Sequence, residues 1–367
     1  MNSINIHNEK QINQTKAKNS FENLKSDFII KKIFSYMNKN SSLKIMKHNK
    51  KLQKRLNISI DDYQEYVENF SSIKIELKPF DNKYGKFINI SEKDSDYYHI
   101  YFDNSNKEIK RNYLNENEKV KTIKIIIDYQ IKSFKALFDF CKCIESINFK
   151  KFLRTNIIDM SQMFTWCTNL KELNLSNFNT NNVTNMSRMF YFCSSLKELN
   201  LSKFNINQVI NISDIFSGCS SLTKLILPNF ENNKINSMLG MFSGCASLTE
   251  LNLSNFNTNN VTDMGWMFAT CSSLTELNLS NFNTNNVTDM GWMFSGCSSL
   301  KKLNICNFNI SKVNSMNSMF YRCSSLNELN ISNFKINRNC NNKYMLYGCT
   351  DEMIKKIEEQ NKDINFD

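Results

Sequence analysis

Residues that hinge a chain are scarce in this sequence, and so are those that commonly do catalysis. There are 2 Pro and 8 Gly in 367 residues, so neither a collagenous nor a Pro/Gly-rich low-complexity chain fits. Histidine occurs only as His7, His48 and His99. All three lie outside the repeats described below, which excludes a His-based triad there. No Gly-rich phosphate loop and no His-Glu-x-x-His stretch is present. The opening MNSINIHNEKQINQTKAKNS lacks the apolar segment of a secretory signal. No run of 18 apolar residues exists to span a membrane. Twelve cysteines without such a signal indicate free thiols in a reducing compartment. The expectation is a cytoplasmic, non-enzymatic chain with no catalytic set, no metal and no cofactor.

What the sequence does contain is a period. Cys141, Cys167, Cys193, Cys219, Cys245, Cys271, Cys297, Cys323 and Cys349 stand 26 residues apart. The unit from Cys271 to Gly296 reads CSSLTELNLSNFNTNNVTDMGWMFSG, and its neighbour from Cys245 differs at three positions. Eight units fill residues 141–348. A period of this size marks a solenoid, in which each repeat stacks on the next. A divergent first repeat begins near residue 121, since Ile131, Phe134, Leu137 and Phe138 stand one period before Ile157, Met160, Met163 and Phe164.

Within a unit, Leu251 and Leu253 have the period of a short strand. Val261, Met264, Met267 and Phe268 have the spacing of a helical turn. An Asn-rich turn, Ser254 to Asn260, lies between them. The apolar burial of one unit cannot offset the entropy of ordering 26 residues, so neighbours must cover its open faces. Eight strands about 4.8 Å apart would give a sheet on the order of 40 Å long.

The frame L-x-x-L-x-L-x-x-F resembles a leucine-rich repeat, and the continuation NFNTNNVTDMxxMFxxCxSL resembles the BspA-type leucine-rich repeat. That resemblance implies an α/β repeat solenoid with one short strand and one short helical turn per unit. It leaves the partner open, because such repeats serve many partners.

The net charge of +11 is concentrated at one end. Residues 1–60 hold 13 Lys/Arg and 3 Asp/Glu, which reads as a solvated helical face; nucleic acid is an unlikely partner, because exposed aromatics are not interleaved there. Residues 1–20 read as a disordered lead. Ile29, Ile30, Ile33, Phe34 and Met37 then form one helical stripe that Ser26 is placed to cap. A second helical segment covers residues 41–56, and a third covers 60–70. Leu24, Lys25, Ser26, Asp27, then Ile33, Phe34, Met37, then Leu43 and Ile45 resemble an F-box, with Lys25 where that family carries proline. The resemblance implies that Leu24, Ile33, Phe34 and Met37 bind the adaptor of a cullin-type ubiquitin ligase. Segments 72–120 alternate like short strands and read as a β-rich bridge. The stretch KVKTIKIIIDYQ reads as the strand that leads into the repeats. Residues 351–367 read as a C-terminal helical cap.

The cysteine ladder reads as a column of small, soft core residues. Zinc needs converging ligands, usually with C-x-x-C spacing, and Cys141-Lys142-Cys143 is one residue too tight. Cys143, Cys306 and Cys340 lie off the ladder and are expected to be partly exposed. Asp263 and Asp289 are placed to cap the following turn. If Leu251 and Leu253 point inward, their neighbours point outward. This gives a candidate protein-binding column of Glu172, Glu198, Lys224, Glu250, Glu276, Lys302 and Glu328. Trp266 and Trp292 share a position that is polar or Gly in most other units, so two tryptophans are expected side by side at the surface. The sequence is read as a protein-interaction chain with a leucine-rich-repeat solenoid. Ubiquitin-ligase substrate receptor is the leading role; BspA-like surface or adhesion protein is the alternative.

Overall fold

The computed structural model describes residues 24, 26–37, 45, 49–57, 68–231 and 234–360. The expected disordered lead, most of residues 38–48 and most of the third helical segment lie outside them. The chain divides into two compact units, Met1–Ser71 and Ser72–Asp367.

In the first unit, α1 (Asp27–Tyr36) begins at Ser26, whose Oγ accepts from the Ile29 N–H at 3.4 Å. The helix α2 (Lys50–Leu56) begins at Asn49, whose Oδ1 accepts from the Leu52 N–H at 3.0 Å. These side chains satisfy donors that a helix start leaves unpaired. Ile30, Phe34 and Leu52 form a small core, with Leu24, Met37, Ile45 and Leu56 packed against it. Arg55 Nε donates to Asp27 Oδ1 at 2.5 Å across the helix pair.

The second unit opens with antiparallel strands β1 (Ile73–Pro79), β3 (Tyr98–Phe102), β4 (Glu108–Ile109) and β6 (Ile123–Ile127). A side pair joins β2 (Gly85–Lys86) to β5 (Tyr113–Leu114). The first repeat strand is β7 (Ile144–Lys151), followed by β8 (Glu172–Asn174). The sheet order is β4-β3-β6-β1-β7-β8. The strand beside the repeats is therefore β1, antiparallel to β7. Residues 123–127 do not lead the stack, as their alternation suggested; β1 lies between them and β7. Period-two alternation marks a strand but carries no information about its neighbour.

From β7 on, units pair in parallel with a 26-residue register: Ile147 with Leu173, Leu199 with Leu225, Leu303 with Leu329. The repeat strands β9 (Glu198–Asn200), β10 (Lys224–Ile226), β11 (Glu276–Leu277), β12 (Lys302–Asn304) and β13 (Glu328–Asn330) have two or three residues each. They form separate patches, β9 with β10 and β11 with β12 and β13. Residues 250–252 make no strand. The long continuous sheet expected from the period is thus absent, and no closed barrel forms among the described residues.

The expected helical turn is also replaced. Residues 264–271 form successive turns with Met267 N–H to Met264 O at 3.3 Å and Cys271 N–H to Phe268 O at 3.1 Å. Trp266 and Thr270 stand between them at φ 58° and 57°. The same two positions are left-handed in most units, among them Gln162 and Trp166, and Arg188 and Phe192. Left-handed residues stop a helix from propagating. They also free alternate N–H groups to bond the next unit: Met264, Trp266, Phe268 and Thr270 donate to Asp289, Gly291, Met293 and Ser295 at 2.6–3.0 Å. Spacing of three and four suits either geometry, because both bring those side chains to one face.

Under this turn ladder lies a column of phenylalanines. Phe138, Phe164, Phe190, Phe216, Phe242, Phe268, Phe294 and Phe320 stack with centroids 5.5–5.8 Å apart. The cysteine ladder lies beside it and is buried from Cys141 to Cys323, with Cys349 partly covered. Each thiol from Cys167 on donates to the carbonyl of a ladder Phe in the preceding unit, as Cys193 does to Phe164 O at 3.1 Å. That oxygen also accepts the Cys167 N–H at 3.1 Å, so both its lone pairs are used. Burial raises the thiol pKa values, to about 12 for Cys219 and Cys271. Cys143 is buried as well, contrary to expectation; its Sγ donates to Lys86 O at 3.2 Å.

Both ends of the stack carry extra structure. Arg154 is fully buried near the first end and donates through Nη1 to Asp128 O and Ile131 O, both at 3.0 Å. Burial lowers its guanidinium to about 10, opposed by Tyr98 and Asp128. At the other end, α3 (Asp351–Gln360) buries Met353 and Ile357. Its Gln360 side chain donates to Leu329 O at 3.4 Å and accepts from Ile331 N–H at 3.5 Å, covering the last strand edge.

Candidate functional site

The charged column is exposed at every position from Glu172 to Glu328, and strand pairing puts Lys224 beside Glu198 and Lys302 beside Glu276 and Glu328. Lys302 Nζ lies 2.7 Å from Glu328 Oε1, and Lys224 Nζ lies 3.8 Å from Glu198 Oε2. Glu250 and Glu276 follow each other in the column, and no cation pairs with either among the described residues. Such exposed pairs contribute at most about 1 kcal/mol each, so the column is not there for stability.

The Asn column beside it has a local task. The Asn174, Asn200, Asn252, Asn278 and Asn304 Oδ1 atoms accept the N–H two residues on, at 3.0–3.2 Å. This closes an Asx turn at the strand end. The 224–228 stretch departs from that pattern twice at once. Ile226 replaces the Asn, and Pro228 replaces the residue whose N–H the Asn would accept. Pro has no N–H, so the Asn is not needed there. Ile226 is 40 % exposed.

An open groove of about 1030 Å³ runs along the strand face from Glu250 and Glu276 past Lys302 and Glu328 to Lys356 and Gln360 of α3. A smaller one of about 420 Å³ lies beside Glu76, Lys78 and Glu172 near the first end. The structure thus brings Glu250, Glu276, Lys302 and Glu328 together; Glu198 and Lys224 line neither groove. Trp266 and Trp292 are stacked at 4.6 Å and 6°. They sit on the turn ladder and line neither groove. Trp266 is 44 % exposed, and the position one period before it is Gly240, which carries no side chain.

A second aromatic row escaped the sequence reading. Phe140, Trp166 and Phe192 stack at 5.8 and 4.2 Å, with Lys142 Nζ 5.6 Å from the Phe140 ring. The row ends on Gly218, where a Cβ would meet the Phe192 ring at 2.7 Å. Comparing residues 140, 166 and 192 as one column would have found it. Asp263 and Asp289 do cap turns, accepting from Gly265 and Gly291 N–H at 2.9 and 2.7 Å. Among the described residues, no group of three or more His, Cys, Asp or Glu side chains could hold a metal ion.

A family profile described as "Mycoplasma protein of unknown function, DUF285" matches residues 132–251 and again 236–360. The chain belongs to this family. DUF285 is a repeat family related to BspA-like repeat proteins, and its two matches together cover the eight units of residues 141–348 and all of α3. They do not reach residues 21–71, where the F-box-like run lies. No curated protein and no solved structure matches the chain significantly. No described helix of this DUF285 chain is long and apolar enough to cross a membrane.

Of the four F-box-like positions, Phe34 is buried, and Leu24, Ile33 and Met37 are partly covered. Phe34, Leu24 and Met37 belong to the core of their own unit. The apolar residues that α1 exposes are Phe28, Ile29 and Tyr36.

Proposed function

We propose that this chain is a non-catalytic leucine-rich-repeat solenoid that holds a protein partner on its strand face. The groove of about 1030 Å³ carries this reading, because it combines exposed charges with leucines at its floor. Specificity resides in the Glu250, Glu276, Lys302 and Glu328 pattern. Exchanging two neighbours, Glu276→Lys with Lys302→Glu, keeps the net charge and inverts the local order. It should leave the melting temperature unchanged and weaken capture of the partner about tenfold or more. An identical set of proteins captured by wild type and exchange variant would rule out the groove.

The family match favours a surface or adhesion role of the BspA type for that binding. A ligase-receptor role needs α1 to meet an adaptor, and the residues free to do so are Phe28, Ile29 and Tyr36 rather than Phe34. Co-purification with ligase subunits that is lost in Phe28→Ala with Tyr36→Ala would support the receptor role. Failure of the intact chain to capture any adaptor would remove it.

A further inference from the structure

The turn ladder has a direction. At the first step, the N–H groups of Phe134, Ala136, Phe138 and Phe140 donate to the carbonyls of Asp159, Ser161, Met163 and Thr165. At the last step, those of Met316, Ser318, Phe320 and Arg322 donate to Asn341, Lys343, Met345 and Tyr347. These donors belong to the earlier unit and their acceptors to the later one. Strand dipoles in ordinary sheets largely cancel; here most donating peptides point one way and about one per unit points back, as Thr184 N–H does to Ile158 O at 2.9 Å, so a net dipole remains along the stack.

The two ends of this ladder are treated differently. At the carbonyl end Asn89 covers two of the four equivalent acceptors: its N–H donates to Leu137 O at 2.7 Å and its Nδ2 to Asp139 O at 2.8 Å, with a further bond to Ala136 O at 2.9 Å. At the N–H end, Tyr344 and Gly348 keep the left-handed φ of 56° and 78°, so the backbone still follows the repeat. The donors equivalent to those of the previous unit are the N–H groups of Asn342, Tyr344, Leu346 and Gly348. No acceptor meets any of them among the described residues. Tyr344 and Gly348 are exposed, whereas Asn342 and Leu346 are covered. Two cations flank the edge. Lys343 is exposed, and Arg322 Cγ lies 3.1 Å from where a Cβ on Gly348 would be. Of the acidic residues opening α3, Glu352 is held by Lys356 at 2.7 Å, and Asp351 is exposed three residues beyond Gly348.

We propose that this open N–H edge binds an extended acidic polypeptide segment, which adds the rung that the next unit would have supplied. Polypeptide is favoured because alternate donors at this spacing are met by peptide carbonyls at every earlier step. Acidic character is favoured because the edge offers N–H donors that no described carbonyl accepts, flanked by the cations Lys343 and Arg322. First contact falls on the exposed N–H groups of Tyr344 and Gly348. A second copy of the chain is disfavoured, since Asn89 occupies two of the four carbonyls its own edge would offer, Leu137 O and Asp139 O.

Hydrogen exchange read by mass spectrometry on the full chain tests this, with poly-glutamate, poly-lysine and poly-uridylate as probes. Without a probe, amides of residues 342–348 should exchange faster than those of 316–322. Poly-glutamate should slow residues 342–348, and poly-lysine should not. Lys343→Glu, an exposed change that leaves the ladder intact, should raise the poly-glutamate concentration needed about tenfold. Protection confined to residues 1–60, or unchanged in Lys343→Glu, would overturn the proposal. So would protection by poly-uridylate in place of poly-glutamate, or protection that grows with protein concentration alone.

Discussion

The two long sides of a repeat unit are held to their neighbours by different means. On the strand side, the backbone pairs over two or three residues per unit, in separate patches, and residues 250–252 do not pair as a strand at all. On the turn side, isolated bridges run without a gap from Ser133 to Asn341 through every unit. Phe138, Phe164 and their successors are buried beneath that side in every unit, whereas the strand-side column is buried at Leu199, Leu303 and Leu329 but only partly at Leu173, Leu225 and Leu251. The comparison indicates that the turn ladder, with its phenylalanine and cysteine columns, is the spine of the stack. The strand side is then free to vary in sequence and to carry the groove.

The largest expected test of that spine is alkali. The ladder thiols have raised pKa values in the fold, against about 9 when unfolded. Stability from keeping them neutral is complete below about pH 9 and is lost as pH rises towards the folded values. Each thiol should cost about 1.4 kcal/mol per pH unit in that window. Chemical denaturation followed from pH 8 to 10.5 should show a steep fall, reduced in Cys245→Ala with Cys271→Ala. A flat profile would mean that the column is open to water.

A matched pair of truncations separates the two sides. Phe268→Ala on the turn side should cost about 3–5 kcal/mol, and Leu251→Ala on the strand side roughly 1–2 kcal/mol. Urea denaturation measures both. Equal losses would erase the distinction between spine and groove. The most localised effect is expected at the capped end. Asn89→Ala removes the side-chain donor to Ala136 O and Asp139 O, which should cost about 1–3 kcal/mol. Hydrogen exchange should speed up in the first units and stay unchanged near Cys323. Loss spread evenly over the stack would show that Asn89 is more than an end cap.

Several elements could be read from residue types alone. Ser26 caps α1, Asp263 and Asp289 close turns, and Trp266 lies on Trp292, because each of these depends on local sequence or on the period. The groove was only half legible. Alternation placed Glu276, Lys302 and Glu328 on one face, but the closing wall comes from Lys356 and Gln360, far along the chain. The place of Phe34 was half legible for a related reason. A helical stripe shows which side is apolar, and only packing against Leu52 decides that this residue is spent inside its own unit.

By itself, the sequence determined the period, the 26-residue register and which side chains stack. A strict repeat brings equivalent residues together whatever conformation joins them. It could not decide between a helical turn and a ladder of turns, since both put Met264, Met267 and Phe268 on one face. That choice was made by the neighbouring unit, whose carbonyls reward left-handed backbone at Trp266 and Thr270 that an isolated segment would avoid. Tertiary structure likewise decided that β1 lies beside β7, and that Asn89 covers part of one end of the ladder while no described residue accepts from the N–H groups at the other.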